Sequence, residues 1–386
     1  MSDNDNRKNK NKDRAWQRRS DIEAFFIPII DNRGILPPTP NQRWSAADIV
    51  EILYGKRIRH ISPATFDAIK NEATHYNCVD LVFSMVINNL PVPFLARLTM
   101  KNCAGSNTLL SRIVDGDFSV QEMSIQRQDY GYLNRIIGNQ ISGNGKKALL
   151  VGAGSLGGYV ASELVKNGFN NITIYDGDYL EPDNFMRWPF GGIISRMNKA
   201  EALKFYLEHM HPEIKVNAQN EYFDADAISP QISDFDYIIF TVGSSDVQLK
   251  LNRVIKEKGI TCCVLYAWLE AGGDYSHVLS VKYNNSGCFE CLFTDEHGEL
   301  INNKANMAKE EDVDKNMILN GCGGTRAAYG TAALLRTVSA LLVLMKKIES
   351  TEISKNCLVN ITPDSVTYDS TFFIEKRCRC CGNNAQ

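Results

Sequence analysis

The apolar positions in the second two thirds of the chain fall into short runs that alternate with helical stretches. Nearly continuous apolar runs predict buried strands at 147–152, 172–176, 216–223, 237–242 and 261–268. Helical stretches lie between most of them, at 156–166, 198–209 and 247–258. This alternation is typical of a parallel sheet covered on both faces by helices. We therefore predict an α/β fold with a Rossmann-like, doubly wound sheet over residues 129–386.

Two segments precede this region. Residues 1–20 carry seven Lys or Arg and three Asp with almost nothing apolar, which predicts a disordered basic tail. A solvated tail is favoured over a nucleic-acid or membrane contact. Residues 21–128 predict a small α+β recognition domain, with helices after Ser45 and Ser62. The apolar runs at 81–87 and 93–98 fit either strands or buried helix pieces.

Composition narrows the class of protein. The 386 residues are 44% hydrophobic and 23% charged, with a net charge of -3, as expected for a globular protein long enough for two domains. The near-neutral balance disfavours nucleic-acid binding by bulk charge. The longest apolar stretch, 332–345, is interrupted by Arg336 and is shorter than the ~20 residues that span a membrane. The amino terminus has no apolar signal region, so we expect a cytoplasmic enzyme.

A glycine-rich turn follows the first of the predicted strands. It consists of Gly152, Ala153, Gly154, Ser155, Leu156 and Gly157. Such glycines allow close approach of the backbone to phosphate, which the free N–H groups of the following helix can bind. Asp176 ends the next strand, where a carboxylate commonly binds ribose hydroxyls. A turn residue at the strand end is a nearly equal interpretation of Asp176 from spacing alone.

The residues beyond Asp176 favour ATP over a nicotinamide cofactor. They are Asp178, Asn184, Arg187 and, after a further loop, Lys199. A dehydrogenase has little use for Asn184, Arg187 and Lys199, whereas a guanidinium and an ammonium offset the charge of a triphosphate at its reacting centre. Singly, Arg187 and Lys199 would more often be surface ion-pair residues. Together, and in this order, they indicate an ATP site.

The eleven cysteines include two Cys-x-x-Cys pairs, Cys288/Cys291 and Cys378/Cys381. Two such pairs supply the four thiolates of a tetrahedral zinc site, which would join the C-terminal tail to the domain. Cys380 is interpreted as a bystander, with replacement of Cys381 as the alternative. Neither pair is at a strand-to-helix turn, which disfavours redox chemistry.

Cys322 differs from the other cysteines because it lies in a glycine-rich segment just before a helix predicted to begin near Ala327. The dipole of a following helix favours the thiolate, so this is a suitable position for a nucleophile. A small buried residue in a turn is an equally good interpretation.

In combination, these motifs resemble the adenylation domain shared by ubiquitin-activating enzymes and the sulfur-carrier adenylyltransferases of thiamine and molybdopterin synthesis, the ThiF-type fold. The resemblance covers about residues 128–386. The stretch 268–277 and the additional N-terminal block look more like the activating enzymes of bacterial antiphage ubiquitin-like conjugation operons.

The resemblance implies roles at the matched positions. Asp176 would hold the ribose, the glycine loop, Asp178 and Asn184 would lie against the nucleotide, and Arg187 and Lys199 would contact the phosphates. The four paired cysteines match the structural zinc of the family. Cys322 matches the cysteine with which some members capture the activated carbonyl. Arg135 would reach the ATP of a partner subunit, which implies a homodimer.

Two positions depart from the family pattern. The Asp that helps to bind Mg²⁺ is replaced by Gly243, and Asp246 is a candidate substitute three residues later. The Arg-Gln of the family becomes Arg187-Trp188.

The implied function is ATP- and Mg²⁺-dependent adenylation of the C-terminal carboxylate of a ubiquitin-like protein. Thioester formation on Cys322 and transfer to a ubiquitin-conjugating-type enzyme would follow. The alternatives are a sulfur-carrier or peptide adenylyltransferase that forms no thioester, and a non-catalytic nucleotide-binding adaptor. The resemblance does not identify the activated protein.

Overall fold

The computed structural model of the protein describes residues 23–39, 42–55, 57–70, 78–87, 90–101, 108–115, 118–123, 125–127, 129–136, 143, 145–191, 196–211, 213–224, 230–300, 304–319, 325–373 and 377–382. The chain divides into two compact units, Met1–Arg127 and Gln128–Gln386. Two predicted features, the basic tail at 1–20 and the nucleophile Cys322, lie outside the described residues.

The described part of the first unit is a four-stranded sheet with three helices. Its strands are β1 (Glu23–Pro28), β2 (Cys78–Ile87), β3 (Leu90–Met100) and β4 (Phe118–Met123), hydrogen-bonded in that order. Its helices are α1 (Ala46–Tyr54), α2 (Pro63–Lys70) and α3 (Leu109–Val114). β1 runs parallel to β2, and the other pairs are antiparallel.

Local signals in the sequence account for the elements of this unit. Ser45 begins α1 in a capping box, because its Oγ accepts from the backbone N–H of Asp48 while the carboxylate of Asp48 accepts from the backbone N–H of Ser45. The ambiguous apolar runs at 81–87 and 93–98 are parts of β2 and β3. Their alternate residues enter a core that α1 closes with Ile49, Ile52 and Leu53.

The second unit contains an eight-stranded mixed sheet. Its strands are β5 (Lys147–Val151), β6 (Asn171–Tyr175), β7 (Lys215–Gln219), β8 (Tyr237–Phe240), β9 (Cys263–Leu269), β10 (Ser276–Val281), β13 (Cys357–Ile361) and β14 (Val366–Asp369). The order across the sheet is β14-β13-β10-β9-β8-β5-β6-β7. A separate antiparallel pair is formed by β11 (Met317–Leu319) and β12 (Thr325–Ala327).

Six helices of the second unit are described. They are α4 (Tyr130–Ile136), α5 (Ser155–Lys166), α6 (Lys199–Met210), α7 (Ser245–Glu257), α8 (Glu310–Lys315) and α9 (Thr331–Glu349). Two separate apolar cores are present, one formed with α5, α6 and α9 and the other with α7 and the paired cysteines. Among the described residues, no helix combines the length and the apolar character needed to cross a membrane.

The five predicted strands are parallel to one another, as expected. The predicted parallel sheet makes up only one half of the observed sheet, because β10, β13 and β14 add an antiparallel half. The link from β9 to β10 turns sharply through Gly272 and Gly273, both at positive φ. A parallel neighbour needs a crossover of a dozen or more residues, so this short link returns the chain antiparallel.

The strand order places a crevice at the carboxyl ends of β5 and β8. The chain passes from β5 through β6 to β7 on one side, and then returns to β8 on the other side of β5. Ligands of open α/β sheets bind at such a reversal point. Strand β7 ends at Gln219, four residues earlier than predicted, because Asn220 and Tyr222 turn instead toward the loop after β6.

Candidate functional site

Two neighbouring cavities lie at the carboxyl ends of β5, β6 and β8. The larger cavity has a volume of about 720 Å³ and the smaller about 520 Å³. Residues that line both are Gly154, Asp178, Lys199, Thr241, Val242 and Gly243. The cavities are therefore two halves of one site, and several of the predicted nucleotide-binding residues lie where they meet.

The glycine loop is compressed against the end of β8. Gly152 has a φ of 98°, and its carbonyl oxygen accepts from Thr241 Oγ1 at 2.8 Å. A Cβ on Gly157 would lie 1.9 Å from that same oxygen, so only glycine fits there. Helix α5 then begins with Ser155 and Leu156, which line the larger cavity together with Gly154. Unpaired backbone N–H groups and the helix dipole make this end of α5 suitable for phosphate.

Asp176 lies behind the glycine loop and lines the smaller cavity. Its carboxylate accepts from the backbone N–H of Ala153 at 2.6 Å and of Asp178 at 2.8 Å. Burial raises the pKa of Asp176 despite these hydrogen bonds. A carboxylate has four lone-pair sites, so two remain for ligand hydroxyls.

Asn198, which the sequence analysis missed, holds the loop after β6 in place. Its Nδ2 donates to the carbonyl oxygens of Asp176 at 2.7 Å and Asp178 at 2.9 Å. Its Oδ1 caps α6 by accepting from the backbone N–H groups of Ala200 and Glu201. Asn198 is the first residue of the helix predicted at 198–209, and asparagine at the start of a helix is a common N-cap, which was the signal available.

Lys199 is the first residue of α6 and is buried, with its ammonium between the two cavities. Its Nζ lies 2.7 Å from Asp178 Oδ2, and the hydroxyl of Tyr222 donates to Oδ1 of the same carboxylate at 2.7 Å. Burial raises the pKa of Asp178, but the hydrogen bonds from Lys199 and Tyr222 outweigh it and lower that pKa overall. The lysine keeps donor capacity for an anion.

Arg187 and Asn184 reach the larger cavity from the loop after β6. The Nη1 of Arg187 donates to the carbonyl oxygen of Ala327 at 2.9 Å, and its guanidinium lies 4.8 Å from the ring centre of Tyr329. Asn184 is buried and accepts from the backbone N–H of Glu181. Arg187 is thereby positioned with further N–H groups available to a ligand.

Trp188 supports the glycine loop from behind. Its Nε1 donates to the carbonyl oxygen of Ala153 at 3.0 Å, and its ring packs edge-on against Phe190. Arg326, a second residue that the sequence analysis missed, lines the larger cavity and pairs with Glu181 and Asp183 at 3.2 and 3.4 Å.

The structure does not bring every predicted residue to the cavities. Gly243 lines both, whereas Asp246 is exposed on the first turn of α7 and lines neither. Arg135, which the resemblance assigns to the ATP site of a partner subunit, is exposed on α4. Among the described residues, the end of β8 supplies no carboxylate that faces the cavities. The end of β8 therefore does not provide the carboxylate that the sequence analysis expected to bind Mg²⁺.

Trp268 and Glu270, at the carboxyl end of β9, hold the segment 305–308 at the larger cavity. Trp268 Nε1 donates to the carbonyl oxygen of Ala305 at 2.9 Å. Glu270 accepts from the backbone N–H groups of Met307 at 2.7 Å and Ala308 at 2.8 Å, and it lies 2.6 Å from His277 Nε2. Burial raises the pKa of Glu270, but these three hydrogen bonds outweigh it and lower that pKa overall.

The two cysteine pairs form one cluster in the second apolar core, and none of the four cysteines lines either cavity. All four sulfur atoms lie within 4.8 Å of one another, in Cys288, Cys291, Cys378 and Cys381. The Sγ–Sγ distances are 4.0 Å for Cys288–Cys291, 3.7 Å for Cys288–Cys378 and 3.3 Å for Cys291–Cys381. Zn–S bonds of about 2.3 Å in a tetrahedron require S–S separations of about 3.8 Å. The cluster therefore fits zinc.

Cys380 lies outside this four-thiol cluster. Its Sγ is 3.2 Å from Asn252 Nδ2, an amide that also lies 3.6 Å from Cys288 Sγ. Outer hydrogen bonds of this kind orient metal ligands.

Comparison with known proteins defines the class to which this fold and site belong. A model of the ThiF family matches residues 140–385. The match covers most of the second unit, including the glycine loop, both cavities and the cysteine cluster. The chain belongs to the ThiF family.

The curated proteins that are similar to this chain include a ubiquitin transferase-like protein and a sulfur-carrier adenylyltransferase. The ATP-dependent ubiquitin transferase-like protein Cap2 of Pseudomonas aeruginosa is 27% identical over 179 residues, 45% of this chain and 32% of Cap2. The sulfur carrier protein ThiS adenylyltransferase of Bacillus subtilis is 26% identical over 149 residues, 38% of this chain and 43% of that protein. The chain thus spans less than half the length of these curated relatives. The crystal structure of E. coli MccB overlaps 72% of each chain at 17% identity, with a TM-score of 0.49.

Proposed function

We propose that this protein uses ATP to adenylate the C-terminal carboxylate of a ubiquitin-like protein. The observation that carries the proposal is the convergence of two cations on one cavity. Lys199 reaches it from the start of α6 and Arg187 from the loop after β6, beside the N-terminus of α5. Two fixed positive groups and free backbone N–H groups at one point suit a triphosphate.

The smaller cavity suits the nucleoside. Asp176 offers carboxylate oxygens to ribose hydroxyls, and the aromatic rings of Tyr222 and Phe223 with the side chain of Val247 provide walls for a base. The α-phosphate would then lie where the two cavities meet, near Lys199 and Gly154.

The larger cavity leaves room for the second substrate. An ionised carboxylate oxygen of that substrate attacks the α-phosphorus, the bond from that phosphorus to the bridging oxygen breaks, and pyrophosphate leaves. The product is an acyl-adenylate. No proton has to move in this step, so catalysis consists of positioning and of charge stabilisation by Lys199 and Arg187.

A thioester on Cys322 is the second part of the proposal. Cys322 is four residues before Arg326 in sequence, and Arg326 lines the larger cavity. The thiolate would attack the acyl carbonyl, AMP would leave, and a ubiquitin-conjugating-type enzyme would receive the acyl group by transthioesterification. The similarity to Cap2 supports this branch and a role in antiphage defence. A homodimer, with Arg135 facing the ATP of the partner, belongs to the same proposal.

Two alternatives have their own support. The similarity to the ThiS adenylyltransferase favours adenylation of a sulfur carrier or peptide without a thioester. Gly243, in place of a metal-binding carboxylate, favours a nucleotide-binding adaptor without catalysis.

Non-reducing intact mass spectrometry separates the three functions. Wild type and Cys322→Ala are incubated with Mg-ATP and, one at a time, the small ubiquitin-like proteins of the same genome. A thiol-sensitive adduct on wild type alone supports the thioester enzyme. Adenylate from both proteins without an adduct supports the plain adenylyltransferase, and ATP binding with neither product supports the adaptor. Cys262→Ala is the matched control, because burial raises the pKa of Cys262 to about 12 and keeps its thiol protonated.

A further inference from the structure

Helix α7 separates the two cavities and presents different residues to each. Ser245 and Gln248 line the larger cavity, whereas Val247, Lys250 and Leu251 line the smaller one. Spacing of three residues places Ser245 and Gln248 on the same face of the helix. Gln248 therefore faces the half of the site that the proposed nucleoside does not occupy.

The amide of Gln248 has a defined orientation. Its Nε2 donates to the carbonyl oxygen of Val242, at the end of β8. A carbonyl oxygen only accepts hydrogen bonds, so the amide nitrogen must face it and Oε1 must face away. Gln248 is only 3% exposed, and its Oε1 has no hydrogen-bond partner among the described residues. A buried acceptor without a partner is costly and therefore calls for a donor.

The chemistry of the proposed substrates identifies that donor by elimination. The phosphate oxygens of ATP and the terminal carboxylate of the second substrate only accept hydrogen bonds. The ribose hydroxyls and the adenine amino group would lie in the smaller cavity. The remaining donors are the backbone N–H groups of the last residues of the acyl donor. The neighbouring wall, formed by Ala267, Trp268 and Phe289, is largely apolar and offers such a group little competition.

We propose that Gln248 Oε1 accepts a hydrogen bond from a backbone N–H near the C-terminus of the acyl donor. This inference rests on the proposed adenylation and makes Gln248 a binding residue for the second substrate. The proposal requires the buried amide to move so that Oε1 reaches the larger cavity, which Gln248 lines. The residue would hold the terminal carboxylate in line with the α-phosphate without touching the nucleotide.

The test uses two non-hydrolysable probes. One is 5′-O-sulfamoyladenosine, which represents the nucleoside and its α-phosphate without the acyl donor. The other carries N-acetyl-glycyl-glycine on the sulfamoyl nitrogen and so adds two backbone N–H groups. Calorimetry on the full chain should show that Gln248→Leu weakens binding of the peptide probe by about tenfold and leaves the nucleoside probe unchanged. Glu257→Gln, an exposed position farther along α7, should change neither affinity.

N-methylation of each glycine in turn tests the same hydrogen bond without any variant. One of the two methylated probes should bind wild type about tenfold more weakly than the unmethylated peptide probe does. In Gln248→Leu, the same methylation should cause no additional loss of affinity. If Gln248→Leu weakened binding of the sulfamoyladenosine probe and of the peptide probe equally, or of neither, the role of Gln248 would be overturned. The proposed adenylation would not be affected. Failure of wild type to bind either probe would overturn adenylation and this inference together.

Discussion

The nucleotide end of the sheet and the cysteine cluster are both assembled from distant segments, but they differ in how their polar groups are satisfied. In the cluster, the four sulfur atoms lie within 4.8 Å of one another, and three of the four cysteines are buried. In the cavities, Lys199, Arg187 and Asp176 each have a protein partner and still keep capacity for a ligand. The first arrangement suits a permanent ion that stabilises the fold, and the second suits a ligand that binds and leaves.

The largest expected effect comes from removing one thiol of the cysteine cluster. Cys378→Ser should abolish binding of one zinc per chain and destabilise the second unit by several kcal/mol, about 3 or more, because metal binding contributes directly to folding free energy. Elemental analysis and thermal denaturation measure the two consequences. Cys380→Ser is the matched control, since it changes the same segment outside the four thiols. Equal loss of metal in both variants would contradict the assignment of the cluster.

Alanine substitutions at two glycines of the glycine loop should have different effects, one on the free energy of unfolding and the other on ATP binding. Gly157→Ala places a methyl group 1.9 Å from the Gly152 carbonyl oxygen, so it should cost about 1–3 kcal/mol of unfolding free energy. Gly154→Ala meets nothing within 4 Å at a φ of -70° and should leave stability unchanged. Because Gly154 faces both cavities, its methyl group should weaken ATP binding. Denaturant unfolding and nucleotide titration of both variants test this contrast.

The smallest effect concerns pH and the wall of the larger cavity. The folded-state pKa of Glu270 is below its usual value, so its stabilisation is present above the unfolded-state pKa and is lost as the pH falls through the folded-state pKa. Glu270→Gln should be less stable than wild type at pH 7 by about 0.5–1.5 kcal/mol, because the glutamine keeps one acceptor oxygen for the backbone N–H groups of Met307 and Ala308. The difference should shrink as the pH falls below about 4.5. A difference that stays constant between pH 7 and pH 3 would contradict this account.

The same contrast explains what could be predicted from the sequence. The glycine loop, the five parallel strands and the two cysteine pairs have local signals, in spacing or in apolar runs, and the structure contains each of them. Strands β10, β13 and β14 were missed because their pairing depends on tertiary contacts rather than on alternation with helices.

Residues that act by supporting others were also missed. Asn198 and Glu270 hold backbone segments that lie beside them only after folding. Asp246 is the converse case, a residue that the sequence suggested for the site and that the structure places outside it. Proximity in sequence suggested it as a replacement for the carboxylate missing at Gly243, but the turn that begins α7 directs it away from the cavities.

The central claim is that the larger cavity carries out adenylation with Lys199 and Arg187. ATP–pyrophosphate exchange, driven by the ubiquitin-like protein that gives the product in mass spectrometry, measures this step alone. Lys199→Ala and Arg187→Ala should each lower exchange by about 100-fold or more. Lys204→Ala, on the same helix as Lys199 and outside both cavities, should exchange like wild type. Full exchange by both Lys199→Ala and Arg187→Ala would contradict the account.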